Sequence, residues 1–435
     1  MTRLVIKGGR LIDPSSNLDG IYNIYIMGGR IASVKEAEKD ATELVPGAPG
    51  LEIIDAAGLL VTPGFIDAHT HLREPGFEYK ETIKTGTMAA AAGGFTTILC
   101  MANTKPVNDN ESVTRYILDK AQREGSGVSV LPIGAVSHGQ KGERLTEMAE
   151  LKAAGCAAVS DDGVPITDGG LMRRALEYSK IFNMPVITHA EDPHLAGSGV
   201  MNEGAVSTKL GLKGIPNAAE DIIVARDIAL AELTGGRLHV AHVSTRGAVE
   251  LIRMAKRQSI NVTAEATPHH LTLTHDSVFG YDTNTKMNPP LRAWEDVEAL
   301  RAGLKDGTID CIATDHAPQS TIEKDVEFDK ASNGIIGLET AFSVVYELAQ
   351  EGILELNQII KALTINPAKA FSLDKGSLRV GSSADIAIID LNKTWKVEPR
   401  ELKSKSKNTP YGGRTLKGVV VSTIVNGKVI FERKS

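Results

Sequence analysis

The chain has 435 residues, more than one compact core usually holds unless most of it forms a single large barrel with an appended domain. It is 42% hydrophobic and 23% charged, an ordinary globular composition, and its net charge of −6 leaves no basic footprint for nucleic acid. No stretch approaches the roughly 18 uninterrupted apolar residues needed to span a bilayer, so the expected partner is a small-molecule substrate, with neither nucleic acid nor membrane involved.

The opening MTRLVIKGGRLIDP lacks a basic start followed by a long apolar run and does not read as a secretory signal. Cys100, Cys156 and Cys311 are few, far apart and odd in number, and each sits in an apolar run. Buried reduced thiols in a cytoplasmic protein are expected from that pattern.

Both ends are β-rich and punctuated by turns. Leu4–Ile6 leads through Gly8-Gly9 to Leu11-Ile12, and Ile21–Met27 leads through Gly28-Gly29 to Ile31–Val34. Near the other end, Val419–Val425 turns at Asn426-Gly427 into Val429–Phe431. Asn-Gly and Gly-Gly tolerate the positive φ of tight hairpin turns. Three hairpins are therefore predicted, with the two termini building one small β-sandwich domain, 1–62 plus 376–435, around an inserted middle.

The middle, 63–375, alternates strand-like and helix-like stretches. Eight short apolar runs fall at 64–68, 95–101, 128–133, 157–160, 185–188, 238–243, 261–265 and 309–314. Helical patterns such as 78–92, 145–154, 170–182, 218–235, 247–258 and 295–306 lie between them. Eight such units predict an α/β fold, a (β/α)8 TIM barrel, with a doubly wound open sheet as the alternative from pattern alone. The polar stretch 403–408, KSKSKN, reads as a solvated loop.

His69 and His71 share one strand and one face, since side chains alternate with period two. Alone they could be two solvated histidines. Four other strand ends also carry metal-binding side chains: Asp161-Asp162, His189, His239 with His242, and Asp315-His316. Barrel enzymes build their active sites at that end of the strands. Imidazole and carboxylate donors converging there suit zinc.

Several motifs occur in order: DAHTHLREPG (67–76), MANTKPV (101–107), AHVSTRGAVELI (241–252), EATPHHL (265–271), KMNPPLR (286–292), ATDHAP (313–318), LTINPAKAF (363–371) and SADIAIIDL (383–391). Together they resemble the amidohydrolases, and within them the dihydroorotase branch, over nearly the whole chain. The resemblance implies a zinc-dependent cyclic amidase of pyrimidine biosynthesis. His69, His71 and Asp315 would bind one zinc and His189 and His242 a second, with an aspartate bridging in place of the carboxylated lysine of other amidohydrolases. Asp161 is assigned to the bridge, with Asp162 as the alternative because its side chain should leave the strand on the other face.

The resemblance further implies that Asp315 is the catalytic base and then acid. Arg73 and Asn103, with His71 beside them, would hold the substrate carboxylate, and Asn288 would contact the ring. A structural salt bridge of Arg73 with Glu74 or Glu78 is the competing reading. His239 and His316 are expected to have structural roles, His269 and His270 to help shape the site or to be structural, His138, His194 and His275 to be solvated, and Glu191 to be a supporting or surface residue. The chain departs from the family at Gln319, where a substrate-contacting histidine is usual, and at Asn333 before Gly334, where an aromatic or proline is common. These three residues are expected to line the substrate pocket. Rival readings are a hydantoinase or allantoinase, and a non-catalytic subunit associated with aspartate carbamoyltransferase. The resemblance also implies a homodimer or an assembly with that transferase.

Overall fold

A computed structural model describes residues 3–40 and 50–433. Its centre is a parallel sheet of eight strands: Phe65–Thr70, Phe95–Cys100, Ser129–Gly134, Ala158–Ser160, Val186–Thr188, Leu238–Val240, Val262–Ala266 and Cys311–Ile312. Each pairs with the next in sequence. Thr70 of the first strand bridges in parallel to His316 just beyond the eighth, and the His71 amide donates to the His316 carbonyl at 2.8 Å. The sheet thus closes into the expected barrel rather than staying open.

Short-range chemistry sets where the helices begin. The first barrel helix starts at Ile83 rather than 78 because Thr82 caps it, accepting from the Thr85 amide. Asp168 and Thr245 cap Gly169–Lys180 and Arg246–Arg257 in the same way. Helix Arg246–Arg257 buries Ala248, Val249, Ile252 and Ala255, one stripe at helical spacing, against the barrel. Full burial of side chains like Val249 and Ile252 contributes about 2 kcal/mol each. Ile66, Ala68, Leu99, Ile133, Ala158, Ile187 and Cys311 come from six strands yet form one cluster with Phe371, so they fill the barrel's interior. The three cysteines are buried and unpaired, and burial pushes the Cys100 thiol up to about 12.

The strands of the two termini share one mixed sheet. Ile386–Lys396 pairs antiparallel with Leu60–Pro63, joining the C-terminal strands to the N-terminal ones. Leu60–Pro63 ends one residue before the barrel's first strand begins. Two of the three expected hairpins form: Leu18–Met27 with Arg30–Glu36, and Thr415–Val425 with Lys428–Glu432. The first does not. Arg3–Asp13 is a single strand whose register shifts between Ile6 and Gly9. Gly8, at φ +70°, supplies a bulge instead of a turn, and a Cβ on Gly9 would lie 2.5 Å from Val61.

The segment 403–408 is not a solvated loop. Lys403, Lys405 and Lys407 face outward, while Ser404, Ser406 and Asn408 are buried against the barrel.

Candidate metal centre

Five strand ends bring their polar side chains to one place. Asp162 lies at the middle: Oδ1 is 3.5 Å from His69 Nε2, 3.6 Å from His189 Nδ1 and 3.5 Å from His242 Nε2. Its Oδ2 is 3.4 Å from His71 Nε2. Asp315 Oδ1 stands 3.0 Å from His71 Nε2 and 3.4 Å from His69 Nε2.

Asp161 does not join them, contrary to the sequence-based assignment. Its Oδ1 accepts from the amides of Val136 and Ser137 at 2.8 and 3.1 Å, and its Oδ2 accepts from the Ser137 hydroxyl. The alternation rule failed because the fourth strand ends at Ser160. The chain then turns, with the Val164 amide donating to the Asp161 carbonyl, and the turn swings Asp162 inward.

His69 donates from Nδ1 to Glu265 Oε1 at 2.7 Å, and His71 from Nδ1 to Asn103 Oδ1 at 2.9 Å. With Nδ1 so engaged, Nε2 is the ring nitrogen that each histidine turns toward the aspartates, the one available to a metal. Asn103 therefore grips His71 directly. His69 Nε2 and Asp162 Oδ1, which face one another, are buried with no hydrogen-bond partner among the described residues. Such orphans are costly unless something electrophilic satisfies them. His69, Asp162 and His242 could hold a cation together, as could His69, His71 and Asp315. The donor set fits a metal.

Burial alone would keep His69 neutral, but the carboxylates of Asp162, Asp315 and Glu265 push its pKa well above the usual imidazole value. Asp315 is the converse: burial would raise it, and His69 and His71 hold it well below the carboxylate range. Arg73, His242 and Asp315 all adopt positive φ, at 62°, 31° and 47°. Non-glycine residues resist that region, and such strain gathers where surrounding structure must aim a side chain.

A cavity of about 200 Å³ opens beside the aspartates, lined by His71, Arg73, Asn103, Asn288, Gln319, Asn333 and Gly334 among others. Arg73 makes no ion pair among the described residues; its Nε donates to the Pro318 carbonyl at 3.2 Å. Glu74 instead accepts from the Ile83 amide, and Glu78 from the Gly76 amide. Asn288 donates to Glu191 Oε2 at 2.9 Å and leaves its own Oδ1 buried without a partner. Glu191 is thus a supporting residue. Gln319 is held at both ends, accepting from Lys80 Nζ at 2.8 Å and donating to the Asn333 carbonyl at 2.6 Å.

His239 turns away from His242 and bonds Thr263 and Glu265. His316 packs behind Asp315, with Nε2 3.4 Å from Glu81 and Nδ1 accepting from the Gly337 amide. His269 and His270 are buried, and burial pulls His269 down to about 4. Two residues escaped the sequence reading. Glu265 orients His69, and Asp67 ties strand one to strand eight through the Thr314 amide and hydroxyl. Glu265 could have been suspected, being the only carboxylate in strand Val262–Ala266.

A parallel barrel with histidines and aspartates at its C-terminal strand ends is the architecture of the amidohydrolase class, and residues 215–431 match the family model "Amidohydrolase family". Residues 58–248 match the model "Dihydro-orotase-like". The chain is 56% identical over 430 residues to the dihydroorotase of Geobacter metallireducens, covering 99% of this chain and 100% of that one. It is 55% identical to the dihydroorotase of Anaeromyxobacter sp. (strain K), covering 99% and 98%. Among solved structures, the L-hydantoinase (dihydropyrimidinase) of Arthrobacter aurescens superposes with a TM-score of 0.89 at 25% identity, covering 100% of this chain and 97% of that one. The chain belongs to the dihydroorotase family.

Proposed function

We propose that the chain is a zinc-dependent dihydroorotase, interconverting (S)-dihydroorotate and N-carbamoyl-L-aspartate in de novo pyrimidine (UMP) biosynthesis. The observation that carries the reading is the pairing, in one small cavity, of the histidine–aspartate cluster with an arginine that makes no direct ion pair among the described residues. His69, His71 and Asp315 would hold one zinc, and His189 and His242 a second, with Asp162 shared between them. What zinc would supply when bound is Lewis acidity toward a carbonyl and a water whose pKa is lowered to about 7.

The chain's own groups do the rest. Arg73 offers its planar guanidinium to the substrate carboxylate, a fork-shaped match. Asn288 Oδ1, buried and unsatisfied, accepts from a ring N–H. Asp315, kept ionised, takes the proton of the attacking water and returns it to the departing ring nitrogen. Ring closure runs the same transfers backwards.

A hydantoinase is the second reading, favoured by the likeness to solved hydantoinases. Against it stands the fourth strand's end, Ser160-Asp161-Asp162-Gly163, which has no lysine to carboxylate. Zinc per chain, measured with turnover of dihydroorotate and of hydantoin, separates the readings. Bound zinc with dihydroorotate turnover is expected. Hydantoin turnover alone would overturn the assignment, and full zinc with neither activity would favour a non-catalytic subunit. The buried unpaired cysteines support a cytoplasmic setting. Sedimentation with and without aspartate carbamoyltransferase tests the homodimer and the assembly that the family suggests.

A further inference from the structure

Asn408 lies outside the substrate cavity, yet it bonds to both edges of the cavity wall. It belongs to the 403–408 stretch that connects two strands of the terminal sheet, Ile386–Lys396 and Thr415–Val425. This stretch crosses the barrel as a strap. Ser404 Oγ and the Lys405 amide fasten it to Glu81, and Ser406 Oγ donates to the Lys80 carbonyl at 2.6 Å. At its end, Asn408 Nδ2 donates to the carbonyls of Ala317 at 3.3 Å and Gly334 at 3.0 Å. Its Oδ1 accepts from the Gln319 amide at 3.2 Å, and its own carbonyl accepts from the Ile336 amide at 2.9 Å.

The partners leave no freedom in the amide's orientation. One is an N–H, which must meet oxygen, and two are carbonyls, which must meet N–H. Asn408 is 5% exposed, so water does not compete for these bonds. Ala317, Gln319 and Gly334 all line the cavity. The two arms that carry them are separated by the segment 320–332, and Asn408 spans them with a single side chain.

We propose that Asn408 is a positioning residue of the substrate pocket, a clamp supplied by the terminal domain that sets the distance between the Ala317–Gln319 edge and the Gly334 edge. It touches no reacting atom. Its loss should loosen the grip on substrate while leaving the metal cluster and Asp315 in place. The substrate in question rests on the dihydroorotase reading above.

The test compares zinc content, KM and kcat for the wild type, Asn408→Ala, Asn408→Asp and Tyr411→Phe. Asn408→Ala should raise KM for dihydroorotate about tenfold, with zinc retained and kcat within about threefold. Asn408→Asp is isosteric and keeps the acceptor for Gln319, but it sets a carboxylate oxygen against two carbonyls, so its KM should rise at least as far. Tyr411→Phe removes one bond of the segment just after the strap, at Thr272 Oγ1, away from the cavity edges, and should leave KM unchanged. An unchanged KM in both Asn408 variants overturns the clamp, as does an equal rise in Tyr411→Phe. Failure of both Asn408 variants to fold would make the residue purely structural and also overturn it. If the wild type turns over hydantoin and not dihydroorotate, the functional reading fails instead, and the same KM comparison is made with hydantoin.

Discussion

Glu265 Oε1 sits 2.7 Å from Nδ1 of His69, and its other oxygen sits 3.1 Å from Nε2 of His239. One buried carboxylate thus holds a histidine of the candidate metal cluster and a histidine outside it. Burial would raise its pKa, but the charges and hydrogen bonds of His69 and His239 bring it down to about 2. A carboxylate behind a ligand histidine fixes the ring's tautomer and raises its basicity. Glu265→Gln should therefore weaken zinc binding by about 10-fold to 100-fold, read by competition with a chromophoric chelator. Zinc affinity equal to wild type would remove Glu265 from the site.

The adjacent aspartates on the fourth strand should behave as opposites. Asp162→Ala removes the carboxylate that faces four histidines and should abolish zinc retention through dialysis. Asp161→Ala should keep its zinc. It strands the buried amides of Val136 and Ser137, a cost of about 2–4 kcal/mol in stability measured by urea unfolding. Loss of zinc in Asp161→Ala with retention in Asp162→Ala would reverse the assignment made from the geometry.

That pair also marks where reading the chain stops short. The eight barrel strands were legible because strands buried on both faces are written as continuous apolar runs. The metal-binding side chains at their ends were legible because barrels collect function there. Which of two neighbouring aspartates turns inward depends on the strand ending at Ser160, and no local pattern announces that. Gly8-Gly9 has the same ambiguity, since a bulge and a turn ask the same φ of glycine and only the partner strand's register tells them apart. Glu265 shows in the sequence only as a lone carboxylate in its strand, and its role does not, because its partner His69 lies 196 residues away. In KSKSKN the lysines suggested solvent, while the alternating Ser, Ser and Asn carried the buried face.

Arg73 separates substrate grip from metal grip on one stretch of chain. Neither Glu74 nor Glu78 engages it, so removing its charge breaks no internal ion pair among the described residues. Arg73→Met should bind zinc like the wild type and lose activity on dihydroorotate by about 100-fold or more in kcat/KM, the order expected when a charged bidentate contact is lost. Isothermal titration with N-carbamoyl-L-aspartate checks the cause. Affinity equal to wild type in the variant would count against Arg73 as the carboxylate's partner.

Lys324 should give the protein a stability that climbs with pH. It is buried at the end of the short helix Thr321–Lys324 that follows Gln319, and its ammonium donates to the carbonyls of Thr283 and Lys286 at 2.9 and 3.1 Å. Burial, and then the neighbouring charge of Lys286, brings its pKa down to about 7 from an ordinary 10.5. Between those values the unfolded chain holds a proton that the folded chain has released, so deprotonation favours the fold and stability rises as pH climbs from about 7 to about 10.5. Below pH 7 the contribution is flat, because both states are protonated. Each tenfold difference in proton affinity is worth about 1.4 kcal/mol, so the whole window carries about 5 kcal/mol and its part between pH 7 and pH 10 about 4 kcal/mol. Lys324→Met has no proton to release. Urea unfolding of both proteins at pH 7 and pH 10 should find the wild type gaining about 4 kcal/mol relative to the variant across that interval. A difference that stays level would mean that Lys324 remains charged in the folded protein, held by its two carbonyls against the pull of burial.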